Sequence, residues 1–301
     1  MRLTSGIVCA TLTPMDEHGE PCIDLLVDHC RRLLDAGCSG TLLFGTTGEA
    51  NSFTVAERKT VLERVIGGGI PSSSLIVGCG CCAVGDTTAL ITHALSVGVA
   101  RVLLLPPFYY KQVGDDGVID AYARTIEAVA DDRMRMYFYK IPQFSGVDIS
   151  PAVVDALIAR YPANVAGIKD SSGDWAGTAQ LCARFGAAID VLVGSERFLL
   201  AGLAAGASGC VTATANAYAE LICKLFARRD EPIAAALQER VTAARALFEG
   251  YPVIAALKEF ETRRSGDARW RNLRPPLTPL ATSDAEAFAT RISGELLHAP
   301  R

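Results

Sequence analysis

The chain has 301 residues, of which 50% are hydrophobic and 21% are charged, and its formal net charge is -4. This length and composition suit one large α/β domain or two smaller ones, and they exclude an intrinsically disordered chain. The charges are scattered without long basic runs, which argues against a nucleic-acid partner.

The amino-terminal segment shows no targeting or membrane signal. Its first residues, MRLTSGIVCATLTPMDEHGE, are interrupted by polar residues, glycine and proline before a signal-like apolar block develops. No later segment approaches the ~20 apolar residues that a membrane span needs. These features predict a cytoplasmic protein without a membrane partner.

Short runs rich in Leu and β-branched residues alternate with helix-like segments along the first 230 residues. Successive runs start about 20 to 35 residues apart, a spacing typical of βα units in a parallel sheet. The predicted strands are Ile7–Leu12, Thr41–Phe44, Leu75–Cys79, Val102–Leu105, Met134–Tyr139, Val165–Lys169, Asp190–Val193 and Cys210–Ala213. Eight such units predict an α/β fold of the closed (β/α)8 type, a TIM barrel.

Helical periodicity fills the intervals between strands and takes over after Asn216. Predicted helices of the first part include Leu25–Leu34, Val55–Val65, Thr87–Leu95, Ile119–Val129, Pro151–Ile158 and Leu199–Ala205. Those that follow are Tyr218–Arg228, Ile233–Phe248, Val253–Arg263 and Ala285–Leu297. Periodicity does not separate a small independent domain from helices packed on a barrel. We assign a barrel domain to residues 1–229 and a packed C-terminal helical region to residues 230–301.

Cysteine and histidine spacing gives little support for a metal site. Ten cysteines occur at positions 9, 22, 30, 38, 79, 81, 82, 182, 210 and 223, mostly within apolar segments. A chain of this length needs no disulfides, so we expect buried free thiols. The cluster at 79–82 has no second pair at zinc-finger spacing, and the histidines, at 18, 29, 93 and 298, lie far from it. We therefore expect no metal.

The segment GIKDSSGD at 167–174 places a lysine at the end of a strand that should be buried. Active sites of barrels lie at the carboxyl ends of the strands. Burial would favour the uncharged amine of Lys169, which is a nucleophile. Its attack on a ketone would give a Schiff base, whose protonated form lets an adjacent carbon–carbon bond form or break. The alternative is a lysine that reaches solvent or pairs with Asp170 or Glu49.

Two other strand ends carry groups that Schiff-base chemistry needs. Proton transfers accompany each step, and Tyr139 ends the strand next to that of Lys169. The turn GTTGE at 45–49 offers backbone N–H groups and two hydroxyls to a small carboxylate. The plainer alternatives are barrel packing for Tyr139, helix support for Glu49, and a packed loop or subunit contact for the aromatic segment 108–110.

Taken together, five segments at predicted strand ends resemble the dihydrodipicolinate synthase/N-acetylneuraminate lyase family. They are GTTGE at 45–49, PPFYY at 106–110, YKIPQFSG at 139–146, GIKDSSGD at 167–174 and GCVTATAN at 209–216. The resemblance covers essentially the whole chain. It implies a (β/α)8 barrel with C-terminal helices, usually a homotetramer built as a dimer of dimers. It also implies a substrate that is pyruvate or another 2-keto acid, without metal or organic cofactor.

The resemblance implies roles for individual residues. Lys169 would be the Schiff-base amine and Tyr139 the acid–base phenol over it. Thr46 would relay protons to Tyr139, and Tyr109, inserted from a neighbouring subunit, would complete the relay. Thr47 would hold the carboxylate of pyruvate with the help of its own backbone N–H.

Further positions are predicted to bind substrate. Val211 would line the keto-acid site through its backbone, and Gly48 and Gly194 would border that site. The candidate selectors of the second substrate are Gln143, Phe144, Ser145, Ser171, Glu196 and Arg197.

Two loops depart from the family's patterns. Dihydrodipicolinate synthases carry an arginine that grips the carboxylate of the aldehyde substrate, and this chain has Phe144 at that position. An apolar ring cannot replace a bidentate clamp. The loop is closer to that of sialic-acid lyases, but those lyases hold the polyol tail with acidic residues where this chain has Ser195-Glu196-Arg197.

These departures favour a pyruvate-dependent aldolase or lyase acting on a 2-keto-3-deoxy sugar acid. The alternatives are a 4-hydroxy-tetrahydrodipicolinate synthase, which condenses pyruvate with aspartate semialdehyde, and a keto-acid dehydratase that uses the same Schiff base. A non-catalytic keto-acid-binding protein is a further alternative from a different class. Product analysis separates the aldolase from the dehydratase, because only the aldolase would release free pyruvate.

Overall fold

The computed structural model describes residues 4–296. Within that range the strands are β1 (Gly6–Ala10), β2 (Gly40–Leu43), β3 (Leu75–Gly78), β4 (Arg101–Leu104), β5 (Arg135–Lys140), β6 (Val165–Asp170), β7 (Asp190–Val193) and β8 (Gly209–Thr212). They pair in chain order, and β1 pairs in parallel with β8, so the sheet closes into a barrel. The predicted fold, a TIM barrel with C-terminal helices, is confirmed.

The helices surround the barrel and extend beyond its last strand. They are α1 (Ile23–Asp35), α2 (Val55–Gly67), α3 (Val84–Ser96), α4 (Asp115–Val129), α5 (Pro142–Ser145), α6 (Pro151–Arg160), α7 (Trp175–Phe185), α8 (Leu199–Ala205), α9 (Ala215–Ala227), α10 (Ala234–Ala246), α11 (Val253–Ser265) and α12 (Thr282–Leu296). The predicted helices did not include α7, whose buried face carries the polar Thr178 beside Leu181, Cys182 and Phe185. The predicted last helix ends at Leu297, which lies outside the described residues.

The inward-facing side chains of the strands fill the barrel with a small apolar cluster. Tyr137 and Tyr139 of β5 both belong to it, because every second residue of a strand faces the same side. The Tyr137 hydroxyl donates to Asp190 Oδ2 at 2.8 Å and lies 2.8 Å from Thr4 Oγ1, at the amino-terminal end of the barrel. Tyr139 lies one pleat further along β5, at the carboxyl end where a cavity opens.

A separate cluster joins the C-terminal helices to the barrel. Leu12, which follows β1, packs there with Phe248, Phe260 and Phe288 of the C-terminal region. Contacts therefore cross the predicted boundary between residues 229 and 230. The division of the chain into two regions at that point stays a prediction.

No helix within residues 4–296 is both long enough and apolar enough to cross a membrane. All ten cysteines are free thiols, and six of them are buried, which agrees with the pattern that the sequence predicted.

Candidate active site

A cavity of about 350 Å³ opens at the carboxyl ends of the strands. Its volume suits a small-molecule ligand. Its walls include Thr46, Thr47, Tyr139, Lys169 and Val211, the strand-end residues that the sequence predicted to form the reacting centre. The structure therefore brings these five residues into one site.

Two other depressions lie along the outer helix α1, one of about 450 Å³ beside α9 and one of about 500 Å³ beside α2. They are lined mainly by charged surface side chains such as Asp28 and Arg31. The described residues that line them include no lysine, tyrosine or cysteine. The strand-end cavity is thus the candidate active site.

Lys169 lies on β6 and is only 3% exposed. The sheet register places it opposite Tyr139, and its Nζ lies 4.2 Å from the centroid of the Tyr139 ring. Among the described residues, no carboxylate forms an ion pair with this amine. The neighbouring Asp170 also lines the cavity, but its carboxylate is bonded elsewhere: Oδ2 accepts from the Thr178 hydroxyl at 2.8 Å and Oδ1 from the Ser172 N–H at 2.9 Å. The amine is buried, unpaired by a carboxylate and open to the cavity.

The Tyr139 phenol has one hydroxyl partner across the barrel. Its oxygen lies 3.3 Å from Thr46 Oγ1, and either group can donate. Strands β2 and β5 are not neighbours in the sheet, so this contact spans the barrel interior. A phenol beside the amine and a hydroxyl beside the phenol form a short path for protons.

The turn after β2 leaves two backbone donors free. Gly48 N–H donates to Gly45 O at 3.1 Å, which closes the turn. The amides of Thr46 and Thr47 donate to no group in the described part of the chain. A side chain at Gly48 would place its Cβ 2.9 Å from Thr11 O, so the tight turn excludes larger residues there. Successive free amides of this kind bind anions such as a carboxylate.

The last residue of that turn is anchored to the C-terminal region. Glu49 has φ of 59°, and its carboxylate is buried. Its Oε1 lies 2.5 Å from Lys258 Nζ of α11, and its Oε2 accepts from the backbone N–H of Arg274 at 3.0 Å. Burial lowers the pKa of Lys258, and the nearby Glu49 carboxylate opposes that shift. Glu49 therefore anchors the turn to the C-terminal region through Lys258 and Arg274, and it does not pair with Lys169.

Four predicted substrate-binding positions line the cavity next to Lys169: Gln143, Ser171, Gly194 and Val211. Ser171 is fixed by hydrogen bonds on both sides, from its N–H to Lys140 O at 2.8 Å and from Gln143 Nε2 to its carbonyl at 2.6 Å. A Cβ at Gly194 would overlap the Ser171 hydroxyl. Glycine at this position therefore lets the chain after β7 lie close against Ser171.

The mouth of the cavity carries exposed aromatic residues. Phe144 lines it and is 66% exposed. Tyr109 and Tyr110 are each 74% exposed, pack edge to face at 5.3 Å, and do not line the cavity of their own chain. The structure of one chain therefore does not bring Tyr109 to Tyr139. The predicted relay through Tyr109 needs a second chain and stays a prediction.

Two predicted selectors of the second substrate point elsewhere. The Ser145 hydroxyl is buried and donates to Val147 O at 2.7 Å. Glu196 is fully buried; it accepts from the Thr212 hydroxyl at 2.5 Å and pairs with Arg245 at 3.0 Å. Neither lines the cavity. This placement does not support a contact between these side chains and substrate, because both are buried, and the Ser145 hydroxyl and Glu196 Oε2 are bonded inside the protein.

Sequence reasoning missed part of the cavity wall. Arg245, Glu249, Val253 and Ile254 line it and come from the C-terminal region, beyond the last strand. Arg197, which was predicted, also lines it and forms an ion pair with Glu249. No motif marks these residues, and only the docking of α10 and α11 over the barrel mouth brings them to the site. Within residues 4–296, no group of three or more His, Cys, Asp or Glu side chains is placed to hold a metal ion.

Comparison with known proteins gives a consistent result over the whole chain. The model of the dihydrodipicolinate synthetase family matches residues 3–294. A DapA-like lyase of Chloroflexus aurantiacus, named as uncharacterized, is 37% identical over 94% of this chain and 94% of its own. The crystal structure of dihydrodipicolinate synthase from Agrobacterium tumefaciens is 30% identical, covers 97% of this chain and 99% of its own, and has a TM-score of 0.86. A 2-keto 3-deoxygluconate aldolase from Picrophilus torridus is 25% identical, covers 92% of this chain and 98% of its own, and has a TM-score of 0.84.

Proposed function

The chain belongs to the dihydrodipicolinate synthetase family of lyases and aldolases, and on that premise we propose that it is a Schiff-base-forming, pyruvate-dependent lyase. Its substrate would be a 2-keto-3-deoxy sugar acid, which it cleaves reversibly to pyruvate and an aldehyde. The observation that carries this proposal is the buried Lys169 amine, which has no carboxylate partner among the described residues and lies against the Tyr139 ring.

In the cleavage direction, the Lys169 amine attacks the C2 carbonyl of the keto acid. Loss of one water gives a protonated imine between Nζ and C2. Removal of the proton from the C4 hydroxyl then breaks the C3–C4 bond, and its electron pair moves through C3 into the imine. The aldehyde leaves, and an enamine of pyruvate stays on the lysine.

Tyr139 is the group that moves protons in this scheme. Its phenol takes the proton from the C4 hydroxyl and returns a proton to C3 of the enamine, so the proton balance closes. Water then hydrolyses the imine, which releases pyruvate and restores the amine. The 3.3 Å contact with Thr46 supports this role, because it connects the phenol to a second hydroxyl.

The carboxylate of the keto acid needs a fixed anchor for this geometry. The free amides of Thr46 and Thr47 and the Thr47 hydroxyl supply donors at the wall of the cavity. The buried Glu49–Lys258 pair holds their turn in place from the other side. Donors that are fixed before substrate binds lose little free energy to reorganisation when charge develops.

The identity of the second substrate rests on the part of the cavity wall that Phe144 lines. Phe144 offers no cation to an aldehyde that carries a carboxylate, which disfavours a synthase acting on aspartate semialdehyde. The Picrophilus torridus relative is named for a 2-keto-3-deoxy acid, which agrees with the sugar-acid assignment. A dehydratase on the same Schiff base is the second candidate, favoured by the shared amine and phenol alone.

The remaining proposals concern assembly and location. The family resemblance implies a homotetramer in which Tyr109 reaches the Tyr139 of a neighbouring chain, and the exposure of Tyr109 and Tyr110 is compatible with a subunit contact there. A cytoplasmic location and the absence of a metal or organic cofactor stay proposals, made from the sequence and the family resemblance.

Product analysis tests the reaction type. Purified protein is incubated with a panel of 2-keto-3-deoxy sugar acids, and free pyruvate is assayed with lactate dehydrogenase. We expect pyruvate and an aldehyde in equal amounts. Loss of water without pyruvate would identify a dehydratase. Efficient condensation of pyruvate with aspartate semialdehyde, without cleavage of any sugar acid, would overturn the proposal in favour of a synthase.

A further inference from the structure

The outer wall of the cavity carries an ion pair that the proposed reaction at Lys169 does not use. It joins Arg197, which follows β7, to Glu249, which follows α10, and both side chains line the cavity. We propose that this pair binds vicinal hydroxyl groups on the tail of the second substrate. The inference rests on the proposed function and extends it by assigning the residues that recognise the tail.

Arg197 has a donor that the protein leaves unused. Its Nη2 pairs with Glu249, whereas its Nε is buried and has no hydrogen-bond acceptor within the described residues. A buried donor without an acceptor is unfavourable by more than the worth of an ordinary hydrogen bond. Arg197 Nη1 likewise has no acceptor among the described residues, and because this nitrogen is not buried it can donate to a substrate oxygen in the cavity.

Glu249 supplies the matching acceptor. Its backbone carbonyl accepts from Arg291 Nη1 of α12 at 2.8 Å, which fixes the turn that carries it. In the part of the chain that the structure describes, Arg197 is the single ion-pair partner of its carboxylate, which is about half exposed at 51%. A carboxylate accepts at both oxygens, so it retains capacity for a hydroxyl donor. A donor and an acceptor side by side match two neighbouring hydroxyls.

The charges of this wall favour a neutral tail over an acidic one. The other guanidinium of the wall, Arg245, is already paired at 3.0 Å with the buried carboxylate of Glu196. Both arginines are thus neutralised by protein carboxylates. An anionic tail would have to displace Glu249 and leave its charge beside the substrate, whereas hydroxyls bind without separating the pair.

Apolar side chains complete the wall. Phe198, Val253 and Ile254 line the cavity beside the ion pair. They suit the C–H faces of a hydroxylated carbon chain, while the ion pair binds its oxygens. The combination describes a polyol tail better than a purely apolar or purely acidic one.

The test measures condensation of pyruvate with three aldehydes of similar size. Glyceraldehyde carries two vicinal hydroxyls, propionaldehyde carries none, and succinic semialdehyde carries a carboxylate. In the wild type we expect kcat/KM for glyceraldehyde to exceed that for each of the others by at least about tenfold, since a site that hydrogen-bonds hydroxyls discriminates strongly against analogues without them. In Glu249→Ala we expect this preference to fall about tenfold and the relative rate with succinic semialdehyde to rise, because Arg197 loses its counter-charge.

A matched control is Glu239→Ala, which removes an exposed carboxylate of α10 that does not line the cavity. It should keep the wild-type preference. An unchanged preference in Glu249→Ala, or a wild type that favours propionaldehyde or succinic semialdehyde, would overturn the inference. Trapping of pyruvate by borohydride, measured on the same samples, separates this outcome from failure of the proposed function. Without trapped pyruvate the reaction itself is wrong, whereas with it only the tail assignment is.

Discussion

The floor and the rim of the cavity are built in different ways. The floor consists of Lys169, Tyr139, Thr46 and Thr47, which lie on strand ends or on the turn that follows β2. The rim includes Arg197, Arg245 and Glu249, from a loop and from the C-terminal region. Strand register fixes the floor, while helix docking fixes the rim. We therefore assign the proposed reaction to residues of the barrel and the proposed choice of substrate to the residues that pack over its mouth.

Replacing the floor phenol should give the largest effect. In Tyr139→Phe the amine is retained but the proton path through Thr46 ends, so we expect kcat/KM to fall by about 10²–10⁴-fold, the range typical of a lost acid–base group. Steady-state release of pyruvate measures this loss, and circular dichroism checks the fold. Tyr161→Phe is the control, because the Tyr161 hydroxyl bonds to Glu127 at 2.6 Å away from the cavity.

That prediction would fail if Tyr139→Phe kept activity within a few-fold of the wild type. Such a result would move acid–base chemistry from the floor to another group. The proposal that the floor carries out the reaction while the rim selects the substrate would then be wrong.

The buried ion pair between Glu49, in the turn after β2, and Lys258 of α11 connects the floor of the cavity to the C-terminal region. In Lys258→Met the fully buried Glu49 carboxylate loses its ionic partner, and we expect unfolding free energy to fall by about 3–5 kcal/mol. Urea denaturation measures this change. Lys224→Met, on the exposed side of α9, should stay within about 0.5 kcal/mol of the wild type.

The double variant Glu49→Gln/Lys258→Met tests whether the loss of stability comes from the unpaired Glu49 carboxylate. Because it removes both charges, it should recover a large part of the lost stability. If Lys258→Met were as stable as the wild type, the pair would not join the turn to the C-terminal region.

The sequence predicted the floor far better than the rim. Lys169 and Tyr139 lie one residue before the ends of consecutive strands. Because consecutive strands of a barrel pair, the alternation of strands and helices was enough to predict that the two residues lie close together. Glu196 and Arg197 lie together in a short 3-10 turn, Glu196–Phe198, and its geometry decides which of them faces the cavity. A sequence pattern does not specify that choice.

The sequence pattern also did not predict cavity residues that lie far apart in the chain and meet only through tertiary packing. Glu249 lies 52 positions after Arg197 in the chain, the difference between 249 and 197, and only tertiary contacts bring the two together. Helical periodicity predicts that α10 and α11 exist but not where they dock. The C-terminal part of the cavity therefore had to come from the structure.

A histidine at the junction of the barrel with the C-terminal region should make unfolding free energy depend on pH, with a smaller effect than the loss of Lys258. His29 of α1 lies 2.8 Å from Asn216 Oδ1 and 3.8 Å from Glu261 of α11. Burial lowers its pKa from 6.5 to about 4, with Glu261 opposing the shift. The unfolded chain therefore takes up this proton first as pH falls, so the stability from neutral His29 is complete above pH 6.5 and is lost toward pH 4.

Between pH 7.5 and pH 5 we expect His29 to account for a loss of about 2 kcal/mol in unfolding free energy. Urea denaturation at both values measures it as a difference in pH dependence between the wild type and His29→Gln. His18→Gln, at an exposed site, should keep the wild-type pH dependence. Equal pH dependence in the wild type and His29→Gln would contradict a neutral buried imidazole.

The central claim is that the Lys169 amine forms a covalent imine with pyruvate. The most direct measurement is mass spectrometry of the protein after incubation with pyruvate and borohydride, followed by peptide mapping. The account predicts one modified peptide, containing Lys169, whose mass rises by pyruvate plus two hydrogens less one water, and no such adduct in Lys169→Ala. An unmodified Lys169 peptide in folded wild-type protein, or an adduct that persists in Lys169→Ala, would contradict it.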